Sequence, residues 1–314
     1  MDDVIVAAVI FWLVISAVFI AVFFIQYFRQ ETGAERLVTL NVRTALFLPL
    51  YALFMFIGVV EPNALAAVNI PITFIEGYSF YCFYTMIVTN LGGPQKAVHA
   101  FKSSGKELIC CKGCFPSDHL LFYKRTIWAL FHFLWTRTLF MILSAISFYS
   151  KTKAGKALYA IFSLVSTVIL VYALLHIILF YENVYQQSSN LFGLVKAFLL
   201  KFSVGLIVIQ GLIVQFMALT NSEPYNDDND LSAEDKTIRG YCLLVLIEFI
   251  VLLLPYFYAF GCYKIVPKEQ TQSSGSVVAP HSVVSFFCNV LKLHDVFGYL
   301  TYRDDESTTA VLNA

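Results

Sequence analysis

Long apolar runs separated by short polar stretches dominate this chain. The first, Val4 to Ile25, holds no charged residue. At the helical rise it is roughly 33 Å long, enough to cross the hydrocarbon core of a bilayer. Similar runs follow at 44–60, 64–89, 126–148, 157–181, 197–219 and 238–263. One soluble core cannot bury seven such segments. The pattern therefore predicts an all-α, polytopic integral membrane protein with seven transmembrane helices in residues 1–263 and a cytoplasmic tail over 264–314. Pro71, early in the third run, predicts a break or kink there. Glu61-Pro62-Asn63 predicts a tight outer turn, and Gly92-Gly93-Pro94 a stop. In the tail, Gln270 to Pro280 reads as a polar linker. Val283, Phe286, Phe287, Val290, Leu293, Phe297 and Leu300 then recur at helical spacing. They predict an amphipathic helix over about 282–300 that lies on the inner leaflet or packs against the inner ends of the spans. The residues after Tyr302 are expected to be disordered.

Composition agrees with lipid as the solvent. Residues are 59% hydrophobic and 13% charged, and mean hydropathy is +0.72; soluble domains carry about 25% charge. Net charge is zero and no basic run is present, which argues against a nucleic-acid partner. Loop charge sets direction. Fifteen Lys and Arg fall on one side, from Arg29, Arg36 and Arg43 through Lys96–Arg125, Lys196 and Lys201 to the tail, against five on the other. The expected orientation is amino terminus outside and carboxyl terminus cytoplasmic. Met1-Asp2-Asp3 is acidic and the first run exceeds a signal-peptide core, so that run is read as a retained span. No Asn-x-Ser/Thr sequon offers an independent check, and Val311-Leu312-Asn313-Ala314 is no retrieval signal. The expected location is the plasma membrane.

Ionisable groups inside the runs each need a reason, because one at mid-membrane costs about 2.5–3.5 kcal/mol on insertion scales. Arg137 lies near the centre of the fourth run, Glu76 in the third and Glu248 near the centre of the seventh. His132 and His176 lie a few turns from the cytoplasmic side. Either Arg137 pairs with Glu76 or Glu248 and fixes helix packing, or these groups line a cavity where Arg137 meets an anionic head group. On the third run Glu76, Ser79, Phe80 and Phe83 form one face, and Gly77, Tyr81 and Tyr84 another. On the sixth, Lys201, Gly205, Val208, Leu212 and Gln215 share a stripe. Lys201 can snorkel to lipid head groups; Gln215 lies too deep to do so easily. The candidate solute-binding residues are thus Glu76, Tyr81, Tyr84, His132, Arg137, His176, Gln215 and Glu248. Cys110, Cys111 and Cys114 cluster in a basic cytoplasmic loop, where reducing conditions argue against a disulfide. S-acylation fits them, and fits Cys288 in the tail; unmodified thiols are one alternative, and zinc held with His99 or His119 is another, without a second cysteine pair to support it. Hydrolase, phosphate-loop and metalloprotease motifs are missing. The expectation is a protein that is not an enzyme, with no cofactor and no metal.

Several stretches resemble a known family. Arg36-Leu37-Val38, Leu46-Phe47-Leu48-Pro49-Leu50-Tyr51 and Glu61-Pro62 are similar to the first-to-second-span region of the alpha subunit of the organic solute transporter. Glu76-Gly77-Tyr78-Ser79-Phe80-Tyr81, running on to Asn90-Leu91-Gly92-Gly93, resembles its third span and glycine stop. Cys110-Cys111-Lys112-Gly113-Cys114-Phe115-Pro116 is similar to its cysteine patch, and Leu200-Lys201-Phe202 with Gln210 to the opening of its sixth span. The resemblance covers about residues 25–215. It implies seven spans, an outside amino terminus, and sodium-independent, bidirectional facilitated movement of amphipathic organic anions, steroid conjugates or bile-acid-like solutes. It also implies a small single-span beta subunit as partner; a homo-oligomer is a further expectation. No paired broken helices of the ion-coupled kind are evident. A membrane-organising or trafficking component would suit the cysteine patch, basic loop and tail. A seven-span receptor would match the span number, but Thr89-Asn90-Leu91-Gly92-Gly93 replaces an Asp-Arg-Tyr signature, and no Asn precedes the proline of Leu254-Pro255-Tyr256.

Overall fold

A computed structural model describes residues 3–29, 34–103, 118–150, 152–184, 195–196, 199, 210, 233–262 and 283–291. The described residues fold as helices: α1 (Asp3–Phe28), α2 (Glu35–Ala45), α3 (Phe47–Val60), α4 (Leu65–Asn90), α5 (Pro94–Ser103), α6 (His119–Tyr149), α7 (Lys153–Val184), α8 (Ala233–Tyr256) and α9 (Val283–Leu291). A 3₁₀ turn, Pro62–Ala64, joins α3 to α4, and a π-helical turn, Phe257–Cys262, follows α8. Five helical segments are long and apolar enough to cross a membrane: Asp3–Phe28, Glu35–Val60, His119–Tyr149, Ala157–Val184 and Asp235–Cys262. Their outer faces are greasy. Ile10 and Leu13 on α1, Trp128 and Ile146 on α6, Leu164 and Val168 on α7, and Val251 and Leu254 on α8 are all exposed. An apolar surface of that extent belongs in lipid.

α4 is as long as α1 but more polar, and it is not among those five. Every residue from Glu76 to Val88 is buried by the other helices. A helix shielded from lipid on all sides needs no lipid-grade hydrophobicity. Thr73, Thr85 and Thr89 return their hydroxyls to the carbonyls four residues back, at 2.7–2.8 Å, which satisfies them within the helix. Both faces read from the sequence are therefore buried. The helix runs unbroken through Pro71. That proline lies in the second turn, so only one hydrogen bond near the helix start is forfeited. At the other end Gly93 N–H donates to Val88 O and Gly92 N–H to Thr89 O, both at 3.0 Å, with φ of +107° and +89°. This is the Schellman arrangement, and the two glycines supply its left-handed backbone.

The second run begins earlier than its hydrophobicity suggested. Helix starts at Glu35 and continues to Val60 with one irregular residue, Leu46. α2 is amphipathic and buries Leu37, Val38, Leu40 and Arg43. Arg43, expected among the loop charges, is thus a buried helical residue, 2% exposed. Of the sixth run, 197–219, only Leu199 and Gln210 fall within the described residues.

The helix ends show how the chain winds. Tyr149 donates its hydroxyl to Asn63 O at 2.9 Å, and Arg239 reaches Val60 O at 3.4 Å. The end of α6 and the start of α8 therefore meet the α3–α4 turn. At the opposite end Gln26 and Asn41 both donate to Phe260 O, at 2.7 and 3.0 Å. α5 caps that same end, with Phe101 stacked between Phe122 and Phe180. α9 packs there too. Phe286 rests on Phe23 and Tyr27, with centroids 5.2 and 5.5 Å apart, and Val290 is buried, whereas Val284 and Phe287 are exposed. The described part of the tail helix thus packs against the ends of α1 and α2. Residues 292–300 of the expected helix, and the linker, lie outside the described residues.

α4 and α6 approach closely at Gly77, where a Cβ would stand 3.0 Å from Leu134 Cα and 3.0 Å from Leu134 Cδ1. Small residues let membrane helices meet backbone to backbone. Gly77→Val should destabilise the detergent-solubilised protein by about 1–3 kcal/mol through overpacking, read as a lower melting temperature. Leu134→Ala in addition should not restore it, because the obstructing Cα remains. A Gly77→Val protein that melts like the wild type would show that α4 and α6 can part freely.

Candidate functional site

The central polar feature ties three helices together. Arg137 of α6 is 7% exposed and Glu76 of α4 is 1% exposed. The Arg137 Nη1 donates to Glu76 Oε2 in a close ion pair, and its Nε donates to Ser166 Oγ of α7 at 3.1 Å. The Phe133 ring lies 5.1 Å from the guanidinium carbon. A single charge buried in hydrocarbon is expensive, whereas an ion pair with its remaining donors satisfied offsets much of that penalty. Two turns farther along α6, Ser144 Oγ lies 3.0 Å from Ser163 Oγ of α7, which continues the α6–α7 contact with small polar residues.

The other candidates divide around this pair. Glu248 on α8 accepts from Gln210 Nε2, the one described residue deep in the sixth run. Tyr81 is buried in α4. Tyr84 packs against Phe180 at 4.9 Å and Tyr123 at 6.2 Å, and its hydroxyl, like that of Ser79, is buried with no hydrogen-bond partner among the described residues. His176 joins the same aromatic cluster, face to face with Phe122 at 5.6 Å, and its Nδ1 donates to Tyr172 O at 2.9 Å. His132 is not brought to the interior. It is exposed on the outer face of α6, stacked on Trp128 and bonded to Thr136 Oγ1 at 3.2 Å. Gln215, Lys201, Cys110, Cys111 and Cys114 lie outside the described residues. Cys288 is exposed on α9. No cluster of metal-ligand type occurs among the described residues.

A second polar centre was missed in the sequence, at the end of the molecule that carries the basic loops. After Pro255 the chain takes the π turn, whose carbonyls lie off the regular helical ladder. Side chains from other helices collect them. Gln26 Nε2 donates to Phe260 O and Gly261 O, Asn41 Nδ2 to Phe260 O, and Arg29 Nη1 to Cys262 O at 2.8 Å. Tyr256 donates its hydroxyl to Ala45 O at the α2–α3 junction. Arg43 donates through Nε to Val290 O at 2.9 Å and through Nη2 to Asn289 O, both on α9. Lys196, just before the sixth run, is fully buried with its Nζ 5.5 Å from the Phe260 ring centre. Burial pushes its amine down to about 7. Between these groups runs a narrow apolar crevice lined by Thr44, Phe47, Leu48, Leu199, Leu252, Tyr256 and Phe260, with room for about one water in this conformation. The sequence signal for this centre was the buried register of Arg43, Asn41 and Thr44 on α2, visible only once α2 is known to be helical.

Two measurements follow from these geometries. Arg137→Met alone should destabilise the protein by about 3–5 kcal/mol by stranding the Glu76 charge, and the double variant with Glu76→Gln should recover most of the loss. Melting temperatures in detergent decide this; equal losses in the single and double variants would exclude the pair as a structural tie. For Lys196 the burial penalty is present in full only below about pH 7, where both folded and unfolded chains are protonated. It fades toward the ordinary lysine value as pH rises. Lys196→Met should therefore raise the melting temperature at pH 7, and the gain should shrink by pH 10.

A family model described as organic solute transporter Ostalpha matches residues 4–265. Neither a curated protein nor a solved structure matches the chain.

Proposed function

Because the chain belongs to the organic solute transporter Ostalpha family, we propose that this multi-pass membrane protein is an alpha-like transporter subunit. It moves amphipathic organic anions, of the steroid-conjugate or bile-acid class, downhill and without sodium. The observation that carries this reading is the family match across 4–265, together with five membrane-length segments, four of them with lipid-grade outer faces. In this reading the chain crosses seven times: those five segments, the shielded α4, and the run 197–219. The loop-charge asymmetry supports an outside amino terminus, a cytoplasmic tail and residence in the plasma membrane. A single-span beta subunit completes the working unit.

An amphipathic anion needs an apolar slot and a cation at its rim. Arg137 can meet a head group only by exchanging Glu76 for it, because the two already neutralise one another. Tyr81, Tyr84, His176, Gln215 and Glu248 are the inner groups proposed to sense the solute, with Tyr and Phe faces holding its flat body. The exposed His132 has no such role in this conformation. Cys110, Cys111, Cys114 and Cys288 are proposed S-acylation sites that hold the cytoplasmic side against the inner leaflet.

The test is flux. Vesicles holding the purified protein, with and without a beta subunit, should release a labelled steroid sulfate down its gradient, equally well in sodium and in potassium. No release under either condition would count decisively against transport.

A further inference from the structure

α6 carries one outward stripe along its length. Trp128, His132, Trp135, Leu139, Ile142 and Ile146 are all exposed, and the steps between them alternate four and three residues. That is the a and d spacing of a heptad seam, which two helices keep when they cross at about +20°. The stripe runs about 27 Å, through both leaflets, so a helix rather than one lipid molecule matches it. Its other members suit lipid; His132 does not. The Nδ1 is bonded to Thr136 Oγ1 at 3.2 Å and the ring touches Trp128 and Phe131, all on α6 itself. Nε2 is left on the outer face with no hydrogen-bond partner among the described residues. The ring stands about two turns, roughly 10 Å, deeper than Arg125, the last charged residue before the apolar run. Hydrocarbon at that depth offers Nε2 nothing to bond.

We propose that this stripe is a self-association seam, along which α6 pairs with α6 of a second copy and His132 meets the partner's His132 across a two-fold axis normal to the membrane. Loop charge gives every copy the same orientation, so two copies lie parallel in the bilayer. The two-fold then sets each residue of the stripe opposite its counterpart, at its own depth. The outward group that lipid cannot serve thus meets a group at the same depth with the same need. Thr136 makes the pairing sound for both tautomers. In one copy its hydroxyl donates to Nδ1, and Nε2–H points across the seam. In the other Nδ1–H donates to Thr136 Oγ1, and Nε2 accepts. His132 falls at an a position of the heptad, where a single polar residue fixes register and partner number in paired helices. Trp135, one step along, is steadied by the edge of Phe74 on α4, with centroids 5.9 Å apart. The seam is independent of what the protein moves, and stands or falls apart from transport.

The experiment uses the full-length protein, fluorescently labelled, in vesicles of increasing lipid-to-protein ratio. Single-molecule photobleaching should count dimers whose share falls with dilution. His132→Ala should raise the dissociation constant about three- to tenfold, the range for one interhelical hydrogen bond in a membrane. His132→Asn keeps a donor and an acceptor and should recover part of the loss. Cross-linking supplies a second readout. Leu139→Cys and Ile146→Cys should form covalent dimers under mild oxidation. Leu164→Cys, as exposed on α7 as Leu139 is on α6, should give only the background of the native cysteines. A protein monomeric at every dilution, a dissociation constant unmoved by His132→Ala, or seam cross-linking no greater than that of Leu164→Cys overturns the proposal. So does loss of the seam cross-links when a single-span beta subunit is added, which would give this face to that subunit's helix.

Discussion

Lipid offers no hydrogen bonds, and that constraint organises the molecule. Each polar group carried into the hydrocarbon must find its partner in the same chain. The consequences recur at every level. Threonines on α4 bond back to their own helix. Arg137 and Glu76 neutralise one another with Ser166 in attendance. Gln26, Asn41 and Arg29 collect the carbonyls of the turn after α8. Taking apolar surface out of water cannot hold such helices together, since lipid is as apolar as leucine; close packing and these polar ties do so instead.

The same constraint sorts the helices into roles. α1 and α8 turn large residues outward, and Val251 and Leu254 are 71% and 83% exposed. α4 turns nothing outward over Glu76–Val88 and collects the polar residues that lipid would reject. The small residues follow the contacts. Gly77 admits Leu134 of α6, and Gly58 faces Cys242 of α8, whose Sγ would lie 2.7 Å from an added Cβ.

Much of this was legible in the sequence. Run lengths located the membrane-length segments, the paired glycines at 92 and 93 gave the stop of α4, and the scarcity of charge singled out Arg137 and Glu76. What stayed hidden has a common physical cause. A helix whose polar and apolar residues are spread all round shows no periodic face, so nothing in the third run told which of its sides would be covered; both were. His132 looked like an interior group because depth along a helix can be read from spacing, whereas direction around it cannot. Arg43, Gln26 and Asn41 were overlooked because their acceptors are main-chain carbonyls more than 200 positions away. Side-chain identity carries no trace of such acceptors. The break expected at Pro71 does not occur for a different reason: a proline so near a helix start removes little.

The backbone contact at Gly77 has a mechanical meaning as well. Gly77 of α4 abuts both the Cα and the side chain of Leu134 on α6, and Ser144 and Ser163 bind α6 to α7. These three helices form a stator, a block that cannot slide internally without collision.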